Sequence, residues 1–267
     1  MTGPPMPAPH AEPADDDFPA RTAPHCAGLG ELDAAVSRCR ACPRLVAWRE
    51  QVARTRRAAF ADREYWGRPV PGFGPADASL AVVGLAPAAH GGNRTGRMFT
   101  GDDSGDVLFD ALHAVGLASQ PTSTHRGDGL VLHGVRVTAP VHCAPPQNRP
   151  TPGERNTCRP WLARELSLLT GLRAVVVLGG FGWQALLPVL EAAGYRLPRP
   201  RPAFGHGAHV VLPGGGVVLP GGDGRPGLHL LGCYHPSRRN VFTGRLTLPM
   251  LVDVLQRAAC VSGLGPR

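Results

Sequence analysis

Five consecutive apolar residues, Ala174-Val175-Val176-Val177-Leu178, constrain the fold of this chain most. A strand with no polar alternation has no face to offer water. Both of its faces must be covered, as they are in a parallel sheet between layers of helix. The flanking sequence agrees. Thr151-Pro152-Gly153-Glu154 is a capping-box pattern with Pro at the first helical position, and it opens a helix that runs to about Thr170, where Gly171 stops it. Phe181 to Ala193 predicts another helix, with Pro188 a kink or an early stop. The apolar run Ser79 to Leu85 predicts a second buried strand, Leu130 to Val141 is β-rich with Gly134 as a turn, and Leu228 to Cys233 predicts a further strand. Apolar points at Val107, Leu108, Ala111, Leu112 and Val115 give a helix from Gly101 to Gly116, with Ser104 to cap its start. Leu29 to Arg57 reads as helical, and Leu246 to Cys260 as a last helix. Residues 195–227, rich in Gly and Pro, read as a hairpin or a loose insertion. Strands alternating with helices predict an α/β sandwich around a mostly parallel sheet.

Composition narrows the function. The chain carries 28 basic side chains, all of them Arg, against 20 acidic ones, a formal net charge of +8. Guanidinium forks suit phosphate, so nucleic acid is admitted as a partner. Nine of the Arg fall between Arg38 and Arg68, among only three acids; a solvated helix face and a phosphate-facing patch both account for them. No apolar run is long enough for a transmembrane helix, and the N-terminal stretch has neither the basic nor the apolar region of a secretory signal. A cytoplasmic location is therefore expected. Residues 1–27 are rich in Pro and Ala, with an acidic cluster at Asp15-Asp16-Asp17, and are expected to be a disordered tail ahead of one domain spanning 28–267.

Three loops that follow strands carry unusual polar residues: Gly84 to Asp102, His142 to Thr157, and Tyr234 to Arg245. In an open α/β sheet such loops converge on one cleft. The first has glycines that let backbone approach a ligand, and ends with Phe99 and Asp102, an aromatic face beside a carboxylate that a core Phe and an N-capping Asp account for as well. It matches neither a Walker A loop nor a dinucleotide fingerprint. In the third, His235 stands at a strand end ahead of Pro-Ser-Arg-Arg. Of the seven cysteines, Cys39 and Cys42 have CxxC spacing, and Cys143 and Cys158 come much later. Four thiolates suit zinc or a [4Fe–4S] cluster equally, and four ordinary buried cysteines account for the pattern as well.

The segments GLAPAAHGGNRTGRMFTGD at 84–102, CAPPQNRPTP at 143–152 and HPSRRNVFTGRLT at 235–247 resemble the uracil-DNA glycosylase superfamily, and within it family 5, the iron–sulfur type. The resemblance covers roughly residues 29–260. It implies a three-layer α/β/α sandwich and a repair enzyme that flips uracil, and other deaminated bases such as hypoxanthine, out of DNA and hydrolyses the N-glycosidic bond. By the same resemblance Cys39, Cys42, Cys143 and Cys158 hold a [4Fe–4S] cluster. Asp102 and His235 are catalytic; Gly84, Ala86, Phe99 and Asn148 meet the base; Arg238, Arg239, Asn240 and Arg245 belong to the loop that enters the duplex. Sister families carry an acid or amide just after the first strand, whereas Leu85 and Ala86 stand there in this chain. Asp102 is left to answer the positive sugar, ionised by its place at a helix start. A monomer working on DNA at the nucleoid, with no membrane partner, is expected. Two other classes remain open: an iron–sulfur nucleic-acid-binding protein without catalysis, and a small-molecule enzyme on the same fold.

Overall fold

The computed structural model describes residues 15–214 and 227–265. Five strands, β1 (Leu80–Val83), β2 (Val135–Thr138), β3 (Ala174–Leu178), β4 (His209–Leu212) and β5 (Leu228–Cys233), form one sheet in the order β2-β1-β3-β5-β4. The first four of that order are parallel; only β4, at the edge, runs antiparallel to its neighbour. Helices α1 (Phe18–Thr22), α2 (Leu29–Arg38), α3 (Pro43–Thr55), α4 (Gly92–Thr95), α5 (Asp103–Ala114), α6 (Pro152–Leu168), α7 (Gly180–Ala192), α8 (Arg238–Phe242) and α9 (Leu248–Ser262) complete the described chain.

The sheet divides the core in two. Ala81, Val83, Val175 and Val177 pack with α2, α6 and α7 on one face. Leu80, Val82, Ala174, Val176 and Leu178 pack with α5 and α9 on the other. The unbroken apolar run of β3 is needed for this, since successive side chains feed opposite layers. This is the expected α/β/α sandwich. A third, small apolar group joins Leu45, Val141 and Cys143 to Cys42, Ala86 and Phe181 at one end of the molecule.

Several expectations are corrected. Residues 15–27 are not a loose tail: Phe18 meets Trp161 of α6 edge-on at 5.8 Å, Ala23 and Cys26 are buried, and Arg164 donates to the Cys26 carbonyl at 2.6 Å. Apolar side chains there cover a face of α6 that water would otherwise wet. Residues 1–14 lie outside the described residues. The helix read from Leu29 to Arg57 is two helices, broken at Cys39–Cys42, because Pro43 forces Cys42 into extended backbone and then starts α3 at its first position. The cap of α5 is Asp102, not Ser104. Pro188 sits inside α7 without ending it. The insertion contributes the edge strand β4; the second strand of the expected hairpin, at 217–219, falls outside the described residues.

Candidate active site

Because β1, β2 and β5 point the same way, the loops after them meet at one edge of the sheet, beside the point where strand order reverses. A cavity of about 250 Å³ opens there. Leu85, Ala86, Pro87, Ala88, Met98, Phe99, Asp102, Ser104, Asn148, His235 and Ser237 line it, so all three loops contribute. A cavity of the same volume between the ends of α6 and α7 has no acid or base in its wall.

Asp102 is both a cap and a wall. Its Oδ1 accepts from the backbone N–H groups of Ser104 at 3.0 Å and Gly105 at 3.1 Å. The other oxygen lies against Gly91, where an added Cβ would come within 1.9 Å of it, so only glycine fits. Burial raises the carboxyl pKa above its ordinary value, and the two amides only partly offset this. The helix start therefore does not make Asp102 a stronger acid, as the sequence led us to expect; loss of water outweighs the dipole.

His235 follows β5 and stacks with Phe99, ring centroids 5.8 Å apart. Burial lowers its pKa to about 4, so the ring is neutral at physiological pH. Its carbonyl accepts from Asn240 Nδ2 at 2.9 Å, and Ser237 caps α8 by accepting from the Asn240 amide. Asn240 thus braces the loop that holds His235. Gly84 does not line the cavity: an added Cβ would stand 2.6 Å from two ring carbons of Phe99, so this glycine makes room for the aromatic. Phe99 and Asn148 both adopt positive φ, 50° and 56°, which aims their side chains into the cavity at a backbone cost. His90 is not in the wall; its ring pairs with the Tyr65 hydroxyl at 3.0 Å.

Beside the cavity, α8 raises an exposed crest. Arg238 and Arg239 are exposed on it, and Arg238 reaches Asp103 at 3.8 Å. Arg245 folds back over the Tyr234 ring, 4.5 Å from its centroid. At the crest stands Phe242, 90% exposed. Sequence reading passed over it, although an aromatic among arginines in a polar loop was the available signal.

The four cysteines gather at the other end of the small apolar group. Cys39, Cys143 and Cys158 are buried and Cys42 half-buried around one cavity, and none forms a disulfide. Burial, then mutual repulsion, pushes the Cys42 thiol up to about 12, and burial pushes Cys143 to about 11. Arg49, 2% exposed, donates to Cys143 Sγ at 2.9 Å and to the Cys39 carbonyl at 3.1 Å, while its Nε has no partner. This residue also escaped the sequence reading. Leu45, Arg49 and Val52 fall at i, i+4 and i+7, which put the arginine on the apolar stripe of α3. Among the described residues, no three His, Cys, Asp or Glu side chains are set to hold a single metal ion.

The family profile described as the uracil DNA glycosylase superfamily matches residues 71–259. The chain belongs to that superfamily. Three relatives within it bear the name type-5 uracil-DNA glycosylase. The protein of Mycobacterium tuberculosis is 54% identical over 235 residues, 88% of this chain and 82% of the relative. That of Thermus thermophilus is 50% identical over 226 residues, 85% of this chain and 94% of the relative. That of Pyrobaculum aerophilum is 46% identical over 225 residues, 84% and 89% of the two. The superfamily match begins just before β1 and ends within α9, so it takes in the whole sheet and all three loops of the cavity. No helix among the described residues is long and apolar enough to cross a membrane.

Proposed function

We propose that the chain is a DNA repair glycosylase that excises uracil, and other deaminated bases such as hypoxanthine, from DNA. The observation that carries this is the cavity itself, where a neutral His235 and the carboxyl of Asp102 share one small, mostly apolar space with an aromatic ring. A base must leave the stack to enter it, at a cost of a few kcal/mol. Arg238 and Arg239 supply phosphate contacts, and Phe242, exposed at the crest of α8, is shaped to fill the gap the base leaves. As the bond between C1′ and the base nitrogen breaks, negative charge moves to uracil and positive charge to the sugar. His235 donates a ring N–H to the base oxygen and Asp102 faces the sugar cation; water then bonds to C1′ as Asp102 takes its proton, which passes to the uracil anion so that the base leaves neutral. Asn148 contributes an amide to the base edge. With Leu85 and Ala86 in the wall, the start of the first loop offers water neither acid nor amide, so Asp102 has that work alone. Leu85 and Ala86 bring no polar side chain to their part of the wall, which leaves little there to reject a larger base.

The residues present at the cysteine cavity fit a [4Fe–4S] cluster. Four free thiols line one small cavity, and a buried guanidinium with an unpartnered Nε lies beside them, suited to negative charge. Cys39, Cys42, Cys143 and Cys158 would hold the group, which when bound ties together three distant parts of the chain and adds to folding free energy.

The deciding experiment is incubation with a duplex containing one uracil, followed by alkali cleavage at the abasic site. Strand cleavage dependent on uracil is expected; intact strands after prolonged incubation with iron-loaded protein would overturn the proposal. Hypoxanthine in place of uracil tests the breadth of the pocket by the same readout.

A further inference from the structure

The arginine-rich stretch at 54–68 is not a solvated helix face. It leaves α3 at Thr55 and turns back as a strap across the first cavity loop. Trp66 and Gly67 donate backbone N–H groups to the carbonyls of Arg94 and Asn93, at 2.9 and 3.0 Å. Tyr65 bonds His90, and the Arg94 guanidinium lies 4.0 Å from the centre of the Phe60 ring. Those contacts fix the strap to the same loop whose opposite side, Leu85 to Ala88 and Asp102, forms the cavity wall.

The strap's charges are unspent. Arg54, Arg57, Arg63 and Arg68 are exposed, and among the described residues none of them makes an ion pair. Between positions 54 and 68 five Arg face only Asp62 and Glu64. Burial is the main reason that His90 and Arg94 lose basicity, and like charges add to it: Arg57 and Arg94 disfavour a charged His90, and Arg63 disfavours the charge on Arg94. Exposed cations that outnumber the neighbouring carboxylates and make no ion pair with them suit a polyanion that comes from outside.

We propose that this strap is a second phosphate-binding surface, which grips the DNA backbone flanking the damaged base on the side of the cavity away from α8. Arg57 and Arg63, on either side of the Phe60 turn, are the contacts, and they read no sequence. This rests on DNA as the substrate of the cavity. It differs from the α8 crest in being pinned by backbone hydrogen bonds, so that it sets the duplex at a fixed distance from the pocket.

Affinity of the full-length protein for an undamaged 30-base-pair duplex, measured across a salt series, tests the proposal without requiring catalysis. In the double variant Arg57→Gln/Arg63→Gln the slope of log K against log salt is expected to flatten by about two units, roughly 0.9 for each lost phosphate contact. An unchanged slope would overturn the proposal and return the strap to a solvated face or to an acidic protein partner. Weaker binding with the wild-type slope would overturn it too, since no phosphate contact would have been lost. Arg57→Lys/Arg63→Lys, which keeps the charge, should retain the wild-type slope; both residues are exposed, so these variants test contact rather than folding. Failure of the wild-type protein to release uracil would speak against the function and leave this outcome readable.

Discussion

At the scale of single residues, Asp102 and His235 have been pushed in opposite directions by the same loss of water. The carboxyl is raised and the imidazole lowered. An imidazole donates N–H whether neutral or charged, so loss of the Asp102 carboxylate on protonation is expected to set the acid limb of the rate. Single-turnover release of uracil should fall at low pH with one inflection and show none near 6.5. Asp102→Asn keeps most of the capping, should lose about a hundredfold or more in rate, and should lose the acid limb with it. Stability carries a separate signature. His235 has a folded-state pKa of about 4 against an ordinary value of 6.5, so the folded protein binds fewer protons than the unfolded chain within that window. Its contribution is intact above 6.5 and is lost as pH falls through 4. His235→Gln should flatten the stability curve there, as followed by urea unfolding. Arg49 is the other residue with a defined outcome. Arg49→Met removes the buried donor on Cys143 Sγ, and a chelator should then strip iron and bleach the visible absorbance several times faster than in the wild type, as expected for outer-shell partners of a metal site.

At the scale of elements, the ends of strands decide the site, and glycines decide the ends. Gly84 closes β1 with the Phe99 ring upon it, so Gly84→Ala should displace the ring. Activity should drop more than tenfold with a smaller loss of stability than a substitution within β1 would cause, because Phe99 is only partly buried against the core. Much of this was legible from sequence. The apolar run of β3 and the capping box of α6 both stand where periodicity put them, since burial on both faces and reciprocal capping leave local signatures. What was not legible depends on distant partners. Spacing offers both Ser104 and Asp102 as the cap of α5; the choice falls on Asp102, which the first loop delivers beside Gly91. The break at Cys39–Cys42 was signalled by Pro43 and hidden by the apolar points on either side. The role of the strap could not be read until its hydrogen bonds to the loop at 93–94 were seen.

Across the whole molecule, the N-terminal residues 15–27 bind α6 from outside and back the cysteine cavity, for Pro19 and Trp161 both line it. Removing residues 1–27 should lower stability by about 3 kcal/mol, the scale of one or two buried side chains, in denaturant unfolding. It should also shorten the time for which the cavity retains iron. The small apolar group at the end of the sheet reaches further. Ala86 lines the base cavity, Cys42 and Cys143 line the cysteine cavity, and all three pack in one group with Leu45 and Val141. The two cavities therefore share a wall, and neither can be redrawn alone. A laboratory lineage selected for a new base preference through larger side chains at Ala86 will press on the cysteines. Its winners should be recognisable by fading colour in the colony pellet, with compensating changes at Leu45 or Val141 arriving in later rounds.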